Sequence, residues 1–73
     1  MIFLDVRTKE EYDDGHIENA INIDIYDPAF MEKVGALDKN EDYSVYCQSG
    51  ARSSQAIAIM SKLGFKSLKN LNR

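Results

Sequence analysis

The sequence has little of several features that mark common protein classes. Its 73 residues include one cysteine, one proline, four glycines and no tryptophan. A single cysteine excludes an internal disulfide framework and a multi-cysteine metal site. No apolar run approaches the roughly 20 residues that a membrane-spanning helix needs. No spacing of His, Asp and Glu is typical of a metal site either. We therefore expect no metal, no cofactor and no membrane partner.

Targeting signals and a basic excess are also missing. The first five residues lack the basic and long apolar regions of a secretory signal. We therefore expect a reducing, cytoplasmic environment in which a lone thiol stays free. The net charge is −3, so no nucleic acid is expected as a partner. With 44% hydrophobic residues, the chain is expected to fold as one small domain over residues 1–73.

The charges are divided unevenly along the chain. Residues 1–42 hold all twelve acids and four bases, a net charge of 4 − 12 = −8. Residues 43–73 hold five bases and no acid, a net charge of +5, and they include Cys47. One interpretation is a chance difference between solvated faces. The other is an anionic ligand near Cys47.

Hydrophobic patterns and turn residues predict alternating strands and helices. The predicted strands cover 1–5, 20–25, 43–46 and 67–71, and the predicted helices cover 9–14, 28–34 and a longer stretch that stops at Gly64. Ala56, Ile59, Met60 and Leu63 form one apolar stripe on that last helix. This alternation predicts an α/β fold with a small, mostly parallel sheet flanked by helices.

Local signals place the beginnings of the three helices. Thr8 followed by Glu11 is a capping box for the first helix. Asp27 before Pro28 predicts a capped start for the second. Ser53 or Ser54 is the predicted cap of the third.

The segment around Cys47 combines the features of a nucleophile and an anion-binding loop. A strand ends at Cys47, and a short loop with Gly50 and Arg52 leads into a helix. Ligands of open α/β sheets bind beyond the carboxyl ends of strands, where loop N–H groups and a helix start hold anions. Gly50 permits a positive φ, and Arg52 adds a permanent planar cation. The same field lowers the pKa of a thiol, so Cys47 is predicted to be a reactive thiolate. The alternative is an inert buried thiol beside a surface arginine.

Two motifs resemble those of rhodanese-like domains. The first comprises Leu4-Asp5-Val6-Arg7-Thr8, Glu11-Tyr12, Gly15-His16-Ile17 and Ala20-Ile21-Asn22-Ile23. The second is Cys47-Gln48-Ser49-Gly50-Ala51-Arg52-Ser53, which begins 42 positions after Asp5. With the elements between them, these motifs span nearly the whole chain.

The resemblance implies a sulfurtransferase in which Cys47 is the catalytic residue. Its thiolate would take sulfane sulfur from thiosulfate, a persulfide or a polysulfide and pass it to a thiol or cyanide. Residues 48–53 would form the anion-binding loop, and Arg52 would help to hold it. Asp5 and Arg7 would lie at the same sheet edge, where they either shape the site wall or pair with each other. The expected partners are a small sulfur-donor anion, a thiol acceptor and a sulfur-carrier protein.

The sequence departs from the family pattern in one loop position and in length. Gln48 stands where some thiosulfate-using members carry arginine, so Arg52 is the only loop cation. This favours polysulfide or persulfide donors over dianionic thiosulfate. The chain is also short at both ends relative to the family pattern. Missing edge elements would leave an unpaired strand edge and apolar sheet surface, so we expect marginal stability or self-association.

Other functions remain open at this stage. A cysteine-dependent phosphatase is disfavoured, because four residues separate Cys47 from Arg52 where those enzymes have five. A non-catalytic interaction module with the same fold is the main alternative to an enzyme. His16 is a potential dyad partner of Cys47, although a structural role in a turn is favoured. Tyr43 and Tyr46 are expected to pack rather than to react.

Overall fold

Strands and helices alternate along the chain, as the sequence predicts. The computed structural model describes residues 1–71. In chain order, the elements are β1 (Ile2–Asp5), α1 (Lys9–Asp13), β2 (Ile21–Asn22), α2 (Phe30–Gly35), β3 (Asp42–Tyr46), α3 (Ala51–Lys62) and β4 (Ser67–Asn70). The four strands form a single sheet in the order β2-β1-β3-β4, and every pairing is parallel. The predicted α/β class is confirmed.

The core lies where α2 and α3 pack together and α3 packs on β3 and β4. Leu4 is paired with Val45 across β1 and β3, and neither side chain is exposed to solvent. The core cluster comprises Leu4, Val6, Ile23, Phe30, Val34, Tyr43, Val45, Cys47, Ala56, Met60 and Phe65. The predicted stripe of α3 belongs to it, since Ala56 and Met60 are buried and Ile59 and Leu63 pack against the cluster. Burial of this apolar surface is the main force that holds α3 on the sheet.

Two of the predicted helix signals are present. The Thr8 side chain accepts from the Glu11 N–H, and the Glu11 side chain accepts from the Thr8 N–H, so the capping box of α1 is complete. Helix α3 ends before Gly64, which has a φ of 98°. The Gly64 N–H donates to the Ser61 carbonyl and the Phe65 N–H to the Met60 carbonyl. These are the two hydrogen bonds of a Schellman motif.

The predicted limits of β2 and α2 are wrong. The strand β2 covers only Ile21–Asn22 of the predicted 20–25. The N–H groups of Ile23 and Ile25 still donate to the carbonyls of Asp5 and Val6, and a turn begins at Asp24, whose carboxylate accepts from the Tyr26 N–H. Helix α2 begins at Phe30 rather than at Pro28. Asp27 accepts from the Ala29 N–H through its side chain, so it stabilises a separate turn before the helix.

The predicted cap of α3 and the end of β4 also need correction. Gly50, not Ser53 or Ser54, is the N-cap of α3, and its φ of 96° lies in the left-handed region that favours glycine. The strand β4 ends at Asn70, one residue before the predicted limit. Within residues 1–71, no helix has the length and hydropathy to cross a bilayer. The expected self-association stays a prediction.

The parallel sheet brings polar residues from distant parts of the sequence to one edge. The carboxyl ends of parallel strands lie on the same side of a sheet. Asp5 ends β1, Cys47 directly follows β3, and Asn70 ends β4. The register pairs Asp5 with Tyr46 and Val45 with Asn70, which aligns these strand ends.

Candidate active site

The loop between β3 and α3 surrounds the Cys47 sulfur with hydrogen-bond donors. The Gly50 N–H lies 3.0 Å from Sγ and the Ser53 N–H lies 3.3 Å from it. The Ser53 Oγ is 3.5 Å away. Gln48, Ser49 and Ala51 are exposed on the outside of the loop, whereas Cys47 is only 3% exposed. Of the predicted loop residues, Gly50 and Ser53 contact the thiol through their N–H groups, whereas the side chains of Gln48 and Ala51 lie outside.

The surroundings of Cys47 favour its ionised form. Burial alone would raise the pKa of the thiol. Hydrogen bonds from the Ser53 side chain and from the N–H groups of Ser53, Gly50 and Ser49 outweigh burial and lower the pKa to about 7. A lowered pKa is the direction that the sequence predicts for a reactive cysteine.

The reaction of Cys47 with iodoacetamide is expected to follow this ionisation. Because the thiolate is the nucleophile, the rate should rise about tenfold per pH unit below pH 7 and level off above about pH 8. Intact-mass kinetics between pH 5 and pH 9 measure the profile. Protein unfolded in urea is the control, with a midpoint expected near 8.5. A folded-state midpoint at or above that of the unfolded chain would contradict the hydrogen-bond pattern.

The Arg52 guanidinium forms an ion pair with the carboxylate of Glu11 in α1. Arg52 Nη1 lies 2.8 Å from Glu11 Oε1, and Nη2 lies 3.0 Å from Oε2. The hydrogen bond from Arg52 lowers the pKa of Glu11 to about 2, and Glu11 in turn raises the pKa of Arg52. Glu11 therefore does more than complete the capping box, because its carboxylate ties α1 to the first turn of α3.

Asp5 and Arg7 pair with each other, which is one of the two arrangements expected for them. The Asp5 side chain is fully buried, and its two oxygens accept from Arg7 Nε and Nη2 at 2.7–3.1 Å. Arg7 Nη2 also donates to the Gly15 carbonyl at 2.7 Å. Asn22 donates to the backbone carbonyls of both residues. The pair therefore braces the chain after β1, next to the strand that carries Cys47.

The histidine and the tyrosines have structural contacts. The His16 ring stacks on Tyr12 with centroids 3.6 Å apart, and its Nδ1 lies 2.7 Å from the Tyr12 carbonyl oxygen. This is the turn role favoured for His16. The Tyr43 hydroxyl donates to the Asp38 carbonyl, and the Tyr46 hydroxyl accepts from the Ile17 N–H. Both tyrosines are buried, as expected of packing residues.

Two residues near the site were not predicted from the sequence. Asn70 lies at the end of β4 and contacts Ser53, Ser54 and Gly50. The sequence pattern could have indicated Asn70, because a polar residue at the end of a parallel strand lies at the same sheet edge as Cys47. No such pattern indicates the ion pair between Glu11 and Arg52, since the capping box already accounts for a glutamate at position 11.

A family model described as "Rhodanese-like domain" matches residues 1–73. Among curated proteins, the chain is 35% identical over 68 residues to the thiosulfate sulfurtransferase PspE of Escherichia coli K12. That alignment covers 93% of this chain and 65% of the relative, so the chain is shorter than the protein it matches.

Solved structures share the fold. A rhodanese-like domain from Anabaena sp. superposes with a TM-score of 0.85 at 31% identity, covering 96% of this chain and 79% of that one. A structure titled "rhodanese with anions from E. coli" gives a TM-score of 0.80 at 34% identity, with 96% and 82% covered. The fold of this chain is thus similar to that of solved rhodanese-like proteins.

Proposed function

Because this chain belongs to the rhodanese-like domain family, we propose that it is a sulfurtransferase that acts through a persulfide on Cys47. One observation carries the proposal: the Gly50 N–H and the Ser53 N–H both donate to the Cys47 sulfur, and Ser53 Oγ lies 3.5 Å from the same atom. Fixed donors of this kind stabilise a thiolate before reaction and an anionic persulfide after it.

The proposed reaction has two displacement steps. The Cys47 thiolate attacks the outer sulfur of thiosulfate, a new S–S bond forms, and sulfite leaves with the electron pair of the broken S–S bond. Cyanide or a thiolate then attacks the terminal sulfur of the persulfide. Thiocyanate or a new persulfide leaves, and the Cys47 thiolate is restored. Neither step requires a metal or an electron acceptor.

The charges at the loop favour a donor with a small negative charge. Arg52 is the only cation between residues 47 and 53, and both of its terminal nitrogens contact Glu11. A dianion such as thiosulfate would therefore gain little from this guanidinium. We propose that a persulfide, which carries one charge, or a polysulfide, whose two charges lie at opposite ends of a longer chain, loads Cys47 faster than the compact dianion thiosulfate. We also propose that a thiol, including one presented by a sulfur-carrier protein, accepts the sulfur.

Intact mass spectrometry tests the proposal. Incubation with excess thiosulfate or polysulfide should add one sulfur, about 32 Da, to the wild type. Cyanide should remove it and yield thiocyanate. The matched control is Cys47→Ser, which keeps an acceptor for the loop N–H groups but cannot form a persulfide, so its mass should not change.

The outcomes separate the remaining functions. Faster loading by polysulfide than by thiosulfate would support the proposed donor class. Failure of every donor to load a folded protein would overturn the enzyme assignment and favour a non-catalytic interaction module. Cys47-dependent hydrolysis of a generic phosphate ester would instead favour a phosphatase.

A further inference from the structure

Asn70 connects the end of β4 to the loop that holds Cys47. Its Nδ2 lies 3.3 Å from the Gly50 carbonyl oxygen and 3.0 Å from Ser54 Oγ. Its Oδ1 lies 2.9 Å from Ser53 Oγ. A carbonyl can only accept a hydrogen bond, so Nδ2 must face Gly50 and Oδ1 must face Ser53. The orientation of this amide is therefore determined by its neighbours.

Among the described residues 1–71, three acceptors lie within reach of the single proton of the Ser53 hydroxyl. These are Asn70 Oδ1 at 2.9 Å, the Gly50 carbonyl oxygen at 3.1 Å and Cys47 Sγ at 3.5 Å. The Gly50 carbonyl already accepts from the Ser54 N–H and from Asn70 Nδ2, which occupy its two lone pairs. Of these three acceptors, the Asn70 oxygen and the Cys47 sulfur can still compete for the proton.

We propose that Asn70 is a positioning residue that controls the reactivity of Cys47 by competing with its sulfur for the hydroxyl proton of Ser53. When Cys47 is a thiol, its S–H donates to Ser53 Oγ and the Ser53 O–H donates to Asn70. When Cys47 loses its proton to water, the Ser53 O–H turns to the negative sulfur, because a hydrogen bond to an ionised acceptor is stronger. No bond between heavy atoms forms or breaks.

Two charged side chains at this edge of the sheet, Arg52 and Asp5, are each held in an ion pair. Arg52 lies close enough to interact electrostatically with Cys47, but its guanidinium is held by Glu11. Asp5, at the end of the neighbouring strand, is held by Arg7. Neither ion pair contains Asn70, so we expect both to stay in place when Asn70 is replaced. This inference deepens the proposed function and rests on it, because its consequence for sulfur transfer requires a persulfide on Cys47.

Two substitutions should shift Cys47 ionisation in opposite directions. Asn70→Asp supplies a negatively charged competitor and should lower the acid dissociation constant of Cys47 about tenfold. Alkylation at pH 7 should then be about fivefold slower. Asn70→Leu removes the competitor and should speed alkylation at pH 6 about threefold. The measurement is the pH profile of iodoacetamide alkylation by intact mass. This measurement requires no sulfur donor, so failure of the Asn70 proposal can be distinguished from failure of the sulfurtransferase proposal.

The Ser53→Ala background shows whether the effect passes through the hydroxyl. In that background, Asn70→Leu should no longer change the alkylation profile. Circular dichroism confirms that each variant is folded, and Asn70→Leu with Ser53→Ala remains informative if Asn70→Asp fails to fold. Loss of loop order would slow alkylation in both Asn70 variants, because the donors to the sulfur would be lost. The proposal would be overturned if both Asn70 variants shifted the alkylation profile in the same direction. It would also be overturned if Asn70→Leu still changed the profile in the Ser53→Ala background.

Discussion

Replacing Arg52 with methionine is expected to slow sulfur loading of Cys47 about a hundredfold, the scale of loss that follows a displacement of about 1 Å in a reacting group. The physical reason is the position of Arg52 in the first turn of α3, one residue before Ser53. Its two bonds to Glu11 hold that turn against α1. Without them, the N–H groups that stabilise the Cys47 sulfur lose their fixed direction. Time-resolved intact mass in polysulfide measures the rate.

Glu11→Gln is the matched variant that separates two roles of Arg52. Glutamine retains a side-chain oxygen for the capping box with Thr8, but its amide nitrogen cannot accept from Arg52. If Arg52 acts by holding the loop, Glu11→Gln should also slow loading, and the double variant should be no slower than Arg52→Met alone. If Arg52 binds the donor directly, Glu11→Gln would release the guanidinium and speed loading by thiosulfate. That result would contradict the holding role.

The strand and loop around Cys47 could be predicted because their determinants are local. The segment 43–46 is rich in strand formers, Gly50 permits a positive φ, and residues 47–53 match one motif. The Glu11 contact with Arg52 spans 41 residues. Its existence depends on how α1 and α3 are placed around the sheet, and no local spacing encodes that placement.

The errors in the predicted limits of β2 and α2 both lie beside an aspartate. Ile21, Ile23 and Ile25 alternate as a strand should, yet the Asp24 side chain bonds to the Tyr26 N–H in a turn at the end of the predicted strand. Asp27 likewise stabilises a turn rather than the first turn of a helix. A short aspartate side chain can bond to nearby backbone in several conformations, so its presence marks an interruption but not which element it ends or begins.

Asp5→Ala is expected to lower the free energy of unfolding by about 3 kcal/mol, because it leaves the Arg7 guanidinium without its buried partner. The Asp5 side chain is fully buried and binds Arg7 through both oxygens, while the Arg7 side chain is 16% exposed. A domain of this size has a total stability of about 4–11 kcal/mol. The loss is therefore a large share of the whole, and urea unfolding followed by circular dichroism should show a much lower midpoint.

Asp13→Ala is the control that separates buried from exposed ion pairs. Asp13 also carries a carboxylate bonded to a cation, but Lys9 and Asp13 are 79% and 56% exposed. Water solvates both partners after the substitution, so its cost should stay below about 1 kcal/mol. The difference between the two variants measures what burial adds, since each removes one carboxylate from an ion pair. Equal costs would mean that the Asp5–Arg7 pair does not brace the end of β1, and that the packing of Leu4 and Val6 alone holds this segment beside Cys47.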